Sequence, residues 1–85
     1  MPALTLLTKP GCHLCDTARD VVTSVLAELP LATSAQVTLE ELSILDDPAL
    51  ADRYSEEIPV LLIDGRVHNI YRIDKARLRA ALQEA

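Results

Sequence analysis

Eighty-five residues suffice for one small domain and leave no room for a second core or a large ligand cavity. A formal net charge of −5, from 13 acidic and 8 basic side chains, argues against nucleic acid or an anionic membrane surface as a partner. No stretch approaches the ~18 apolar residues that would span a bilayer, and with two Tyr and no Phe or Trp the core must be aliphatic.

Met1-Pro2-Ala3 carries neither a basic segment nor a cleavable apolar stretch, so a cytoplasmic protein is expected. Ala3 to Thr8 reads as a strand whose continuous apolar run suits burial on both faces. Pro10 and Gly11 end it. From Cys15 to Leu29, the residues Ala18, Val21, Val22, Val25, Leu26 and Leu29 recur at helical spacing. Asp16 and Asp20 fall in the first turns, where negative charge complements the helix dipole. Pro30 closes this helix, and residues 31–36 read as a connection. Val37 to Ile44 is predicted as a second strand. Its alternation slips across Glu40-Glu41, which fits a bulge or an edge position. With a helix between them, the two strands form a parallel, right-handed βαβ unit.

Asp46-Asp47-Pro48 marks a helix start, a capping carboxylate followed by proline at the first helical position. That helix is predicted to run to about Tyr54 or Ser55, with Leu50 and Tyr54 on one face. Ile58 to Ile63 reads as a third strand, with Pro59 at its beginning, where no ladder donor is lost. Asp64-Gly65 signals a hairpin turn into a fourth strand, Val67 to Tyr71. Asp74 caps a last helix whose buried stripe is Leu78, Ala81 and Leu82. The order is β-α-β-α-β-β-α, an α/β fold in a single domain of residues 1–85.

The only two cysteines, Cys12 and Cys15, stand where the first strand hands over to the first helix. A thiol at a helix N-terminus meets the positive end of the macrodipole and unpaired backbone N–H groups, and both favour thiolate. Thiolate is the reactive form in disulfide exchange and in metal binding. The i, i+3 spacing brings the sulfurs together, so the second thiol can attack whatever the first has bonded to. Beside a βαβ pattern, such a CxxC reads as a thioredoxin-like redox motif. Two other readings stand next to it. Free cysteines are often small buried hydrophobes. A tetrahedral metal site wants four ligands, and this chain offers the pair, His13 between them and a distant His68. Metal binding would then take the form of a cluster bridging two chains.

Thr8-Lys9-Pro10-Gly11-Cys12-His13-Leu14-Cys15, Asp47-Pro48-Ala49-Leu50 and Ile58-Pro59-Val60-Leu61 with Asp64-Gly65 resemble a glutaredoxin-like protein of the thioredoxin-like superfamily. The similarity runs in order along nearly the whole chain and is nearest to the short subgroup with a Cys-His-Leu-Cys type centre. The resemblance implies a four-stranded mixed sheet flanked by helices, Cys12 as nucleophile, Cys15 as resolving thiol, and a cis Ile58-Pro59 peptide facing them. Two departures bear on the reductant. His13-Leu14 stands where common glutaredoxins have Pro-Tyr, and Asn69-Ile70 is expected where they have a Gly pair that helps hold the glutathione carboxylate. Both argue against glutathione as the physiological electron donor.

If the third strand runs antiparallel to the first, Pro59 lies next to Cys12 and the Asp64-Gly65 turn lies at the far end. The fourth strand then returns, bringing Tyr71 and Arg72 back toward the cysteines, with Arg72 as an anion contact and Arg66 remote. Lys9 either favours the Cys12 thiolate, holds a peptide carboxylate or is a solvated loop lysine. His13 either tunes the pair or is an exposed linker residue. An extended substrate segment can pair with the backbone at Ile58-Pro59. His68 reads as an edge-strand bystander. Glu40-Glu41 and Glu56-Glu57 read as surface charge, as do Lys75, Arg77 and Arg79 of the last helix.

These readings converge on a thiol–disulfide oxidoreductase that reduces protein or low-molecular-weight disulfides. It needs no metal or organic cofactor, draws electrons from a reductase or, less fittingly, glutathione, and acts as a monomer. An iron–sulfur carrier or assembly factor and a redox-inert thioredoxin-fold binding module are the alternatives.

Overall fold

β1 (Ala3–Thr8) lies inside the sheet and hands its C-terminal end to the CxxC turn. In the computed structural model, residues 2–84 are described; Met1 and Ala85, the two ends of the expected domain, lie outside the described residues. β1 pairs in parallel with β2 (Thr38–Ser43) and antiparallel with β3 (Val60–Ile63), and β3 pairs antiparallel with β4 (Arg66–Ile70). The strand order is β2-β1-β3-β4. Because side chains alternate across a strand, Leu4 and Leu6 join a cluster with Val22 and Val25 on one face. Leu7 joins Ile44, Tyr54, Ile58 and Val60 on the other. Covering both faces explains the unbroken apolar run.

α1 (His13–Glu28) starts two residues earlier than its apolar spacing suggests, because Cys12 itself is the N-cap. Leu29 leaves the helix with extended backbone ahead of Pro30. The expected connection contains a single helical turn, α2 (Leu31–Ser34), in which the Pro30 carbonyl accepts from the N–H groups of Thr33 and Ser34. β2 is an edge strand in continuous register with β1, so the slipped alternation at Glu40-Glu41 reflects the exposed edge and no bulge. The irregular register lies between Leu61 and Leu62, where β3 meets β4. Ile44 belongs to a short 3₁₀ turn, Ile44–Asp46, that leads into α3 (Pro48–Tyr54). There the Asp47 side chain accepts from the Ala49 N–H at 2.9 Å, the cap its sequence announces.

β3 begins at Val60, so Ile58-Pro59 precedes the strand, and its peptide bond is cis. Asp64 and Gly65 both have positive φ, 50° and 82°, as a tight hairpin requires. β4 ends at Ile70, and Tyr71 turns out of it with φ 62°. α4 (Lys75–Glu84) is capped by Asp74, which accepts from the Arg77 N–H at 3.0 Å. Leu78 and Leu82 are buried and Ala81 half-buried. Lys75 and Arg79 are not merely solvated: both pair with Glu28 near the end of α1, Lys75 at 2.6 Å. No helix among the described residues is long and apolar enough to cross a membrane.

Candidate active site

After β1 the chain turns at Gly11, whose φ of 75° lies in the left-handed region that favours glycine. The turn delivers Cys12 to the N-cap of α1 in extended conformation. Its Sγ accepts a hydrogen bond from the Cys15 N–H at 3.1 Å, and its carbonyl accepts from the Asp16 N–H at 3.2 Å. Cys12 is half-buried and packs against the cluster that holds Ile58, Val60 and Tyr54. Cys15 sits within that cluster at 1% exposure. Both are free thiols.

Burial pushes the Cys15 thiol up to about 11, helped by its hydrogen bond to Cys12 and the charge there. The backbone of Lys9 and the Arg19 guanidinium pull the other way without overcoming it. The two sulfurs therefore differ: one half-buried at the helix start, where it receives a backbone N–H, and one fully buried with its thiol pushed up.

The expected neighbours divide into two groups. Ile58 and Pro59 are buried, and Ile58 shares its cluster with Cys12. Tyr71 ties itself to the same segment twice, donating from its N–H to the Pro59 carbonyl and from its hydroxyl to the Glu56 carbonyl, each at 2.8 Å. Arg72 is exposed and lines a groove of about 380 Å³ with Leu14, Thr17, Val21 and Tyr71, on one flank of the α1 start. Lys9 lies in a different cleft with Asp16, Arg19, Glu41 and Asp46. His13 is exposed at the first turn, where its carbonyl accepts from the Thr17 hydroxyl. Arg66 and His68 line a third hollow together with Asp64 and Ala81, at the hairpin end.

Glu40 and Glu41 are exposed, as expected of surface charge. Glu41 is also paired. It accepts from Arg19 at 2.7 Å through both carboxylate oxygens, and from the Thr8 hydroxyl at 3.2 Å. Arg19 also reaches Asp16 at 2.9 Å. These bonds hold the Glu41 carboxyl below the usual carboxylate range. Arg19 went unremarked in the sequence; its one signal is its place four residues after Cys15, on the same helical face. Asn69 and Ile70 are ordinary strand residues, and the left-handed residue is Tyr71.

Residues 3–83 match the family of the glutaredoxin-like domain (DUF836). An uncharacterized protein of Mycobacterium tuberculosis is 29% identical over 79 residues, which cover 93% of this chain and 80% of that protein. A glutaredoxin-like protein of Dictyostelium discoideum is 30% identical over 73 residues, 84% of this chain and 66% of that one. The solution structure of a target protein from X. campestris is similar at 34% identity and a TM-score of 0.71, over 98% of this chain and 95% of the other. Mitochondrial thioredoxin 3 of Saccharomyces cerevisiae, in its oxidized form, shares the fold at a TM-score of 0.65 and 12% identity, over 99% of this chain and 78% of that one. A cysteine pair at the first helix start of such a sheet points to redox function. The chain belongs to the glutaredoxin-like domain family and has a thioredoxin-like fold.

Proposed function

We propose that this protein is a thiol–disulfide oxidoreductase that reduces protein or small-molecule disulfides through Cys12 and Cys15. One observation carries the reading: the half-buried Cys12 sulfur receives the Cys15 N–H at the helix start, and a second sulfur, its thiol pushed up to about 11, lies buried beside it. Cys12 as thiolate attacks one sulfur of a substrate disulfide. A Cys12–substrate bond forms, the substrate's S–S bond breaks, and the departing thiolate takes a proton from solvent. Cys15 then gives up its proton and attacks the Cys12 Sγ, releasing the second substrate thiolate and leaving a Cys12–Cys15 disulfide. Two electrons have passed to the substrate, and a reductase or external thiols return them.

Around the sulfurs, Ile58 and Pro59 offer a backbone edge to an extended substrate segment, with Arg72 in the groove beside Leu14 and with Lys9 and His13 as further candidate contacts. The cycle calls for no metal or organic cofactor. It suits a monomer in the reducing cytoplasm.

The test is reduction of a protein disulfide and of a glutathione mixed disulfide, side by side, with electrons from either thioredoxin reductase or glutathione. Turnover that disappears in Cys12→Ser supports the reading. No turnover with either substrate under either donor defeats it and leaves a binding module. Visible absorption in protein purified without air would instead favour a shared iron–sulfur cluster.

A further inference from the structure

We infer that Tyr71 is a positioning residue for capture of a protein disulfide. It latches the Glu56–Pro59 segment in place beside Cys12, so that an extended partner chain meets a fixed backbone there. The inference rests on the oxidoreductase reading above and names the residue that adapts that site to a polypeptide substrate.

The backbone at Tyr71 is the starting point. Its φ of 62° lies where any Cβ is disfavoured, and glycine would adopt it without penalty. Backbone geometry alone therefore gives no reason for a tyrosine. Burial gives little more, because the residue is 44% exposed. Its bonds supply the reason. The β3–β4 pairing ends at Val60 and Ile70, and the Tyr71 N–H extends the contact one step further onto the Pro59 carbonyl. The left-handed turn then carries the side chain back across the segment, where its hydroxyl donates to the Glu56 carbonyl. One residue thus ties down both ends of a four-residue stretch. At its start the stretch has one further tie, from the Glu57 N–H to the Tyr54 carbonyl at 2.8 Å.

Ile58 lies between the two latch points. Among the described residues its own N–H and carbonyl have no backbone partner. Ile58 is buried as a residue, its side chain packed in the cluster that Cys12 contacts, and in this inference its two unpaired backbone groups are the ones an extended chain pairs with. If the Glu56 end loosens, those groups lose their fixed place beside the cluster that Cys12 packs against, and pairing must then pay the ordering cost at the moment of binding. A small disulfide that touches only Cys12 would not register the change.

The experiment uses the full chain carrying Cys15→Ser, which halts the reaction at the mixed disulfide. Capture is a thiol exchange: Cys12 thiolate bonds to one substrate sulfur, the other leaves as thiolate, and the net oxidation state is unchanged. Its rate is followed against concentration with an extended peptide joined through a disulfide, and with 2-hydroxyethyl disulfide as the small neutral probe. Alkylation of Cys12 by iodoacetamide is measured alongside. Tyr71→Phe keeps the ring and loses the latch. It should raise the half-saturating peptide concentration about 5-fold, with the limiting rate, the small-disulfide rate and the alkylation rate each within about twofold. Tyr71→Gly, which relieves the backbone, should bind the peptide no better than Tyr71→Phe.

Peptide capture by Tyr71→Phe that equals the parent overturns the positioning role. So does an equal fall with both disulfides, which would mark a general loss of Cys12 reactivity or of fold. If the Cys15→Ser parent captures neither disulfide, the oxidoreductase reading fails and the positioning role falls with it.

Discussion

The Cys12 Sγ accepts the Cys15 backbone N–H at 3.1 Å, while the Cys15 thiol lies buried behind it. The same short turn therefore offers a hydrogen-bond donor to one sulfur and withholds solvent from the other. Near neutral pH, iodoacetamide should modify one thiol per chain, at Cys12, with Cys15 labelled only after unfolding. Peptide mapping of the alkylated protein checks this, and equal labelling of the two would reverse the assignment.

The raised Cys15 value also bears on stability. The folded protein keeps this proton up to about 11, whereas the unfolded chain releases it near 9.0. Stability from the buried neutral thiol is thus fully present below 9.0 and is lost as pH rises through about 11. Urea midpoints taken across that window should fall less steeply in Cys15→Ala than in the parent.

Arg19 joins the cysteine turn to the edge strand through Glu41 and Asp16. The partners' side chains are 41% and 37% exposed in the Arg19–Glu41 pair, so Glu41→Gln should cost below about 1 kcal/mol. The Glu41 carboxyl is held below its ordinary value of 4.5. Its contribution is therefore present above 4.5 and lost as pH falls through the lower folded value, and Glu41→Gln should flatten that acid limb. Arg19→Gln should act on chemistry as well. Without its charge, the Cys15 proton is harder to remove, and the mixed disulfide should persist roughly 2-fold longer in a single-turnover assay.

His68 offers a second acid-sensitive group, remote from the sulfurs. Its Nε2 is buried with no partner among the described residues, and burial, with Arg77 adding to it against Asp74, lowers the imidazole below 6.5. Folding then favours neutral His68, a contribution present above 6.5 and lost as pH falls through the lower folded value. His68→Gln should remove this loss of melting temperature on mild acidification. An unchanged profile would show that the imidazole does not sense the buried surroundings.

What the sequence made legible follows from how local each rule is. The Asp47-Pro48 cap, the Asp64-Gly65 turn and the apolar run of β1 are decided by neighbouring residues, and each stands in the structure where it was read. α2 escaped because a single turn has no periodicity to detect. The start of α1 was misplaced because a thiol is not among the usual N-caps. The Thr8–Glu41 and Arg19–Glu41 bonds join residues 33 and 22 positions apart, and no local pattern announces them. Tyr71 is the sharpest case. A residue with a Cβ in the left-handed region violates the rule by which such positions are found, and only its bonds to Pro59 and Glu56 explain it.

Glutathione is expected to be handled poorly, and the turn at Tyr71 adds a reason beside the Asn69-Ile70 departure. Glutathione carries two carboxylates and a free amine, so a dedicated site needs converging donors and close approach to the backbone. After β4 the position where glycine would allow that approach holds Tyr71, whose N–H and hydroxyl are both already engaged. The two cations named for the carboxylates do not converge either. Arg72 lines the groove beside Leu14 and Thr17, whereas Lys9 lies in a separate cleft where Arg19 is already engaged by Asp16 and Glu41 and Asp46 adds negative charge. Loss of one or two charge-assisted hydrogen bonds costs on the order of 2–4 kcal/mol, a ~30- to 1000-fold weaker preference. Steady-state turnover of a glutathione mixed disulfide should therefore be slow and unsaturated at millimolar glutathione, and Arg72→Ala should lower it further. Lys9→Ala should leave it nearly unchanged, which separates the two cations. Rapid turnover that saturates at low glutathione and ignores Arg72 would mean that the tripeptide finds its donors elsewhere on the surface.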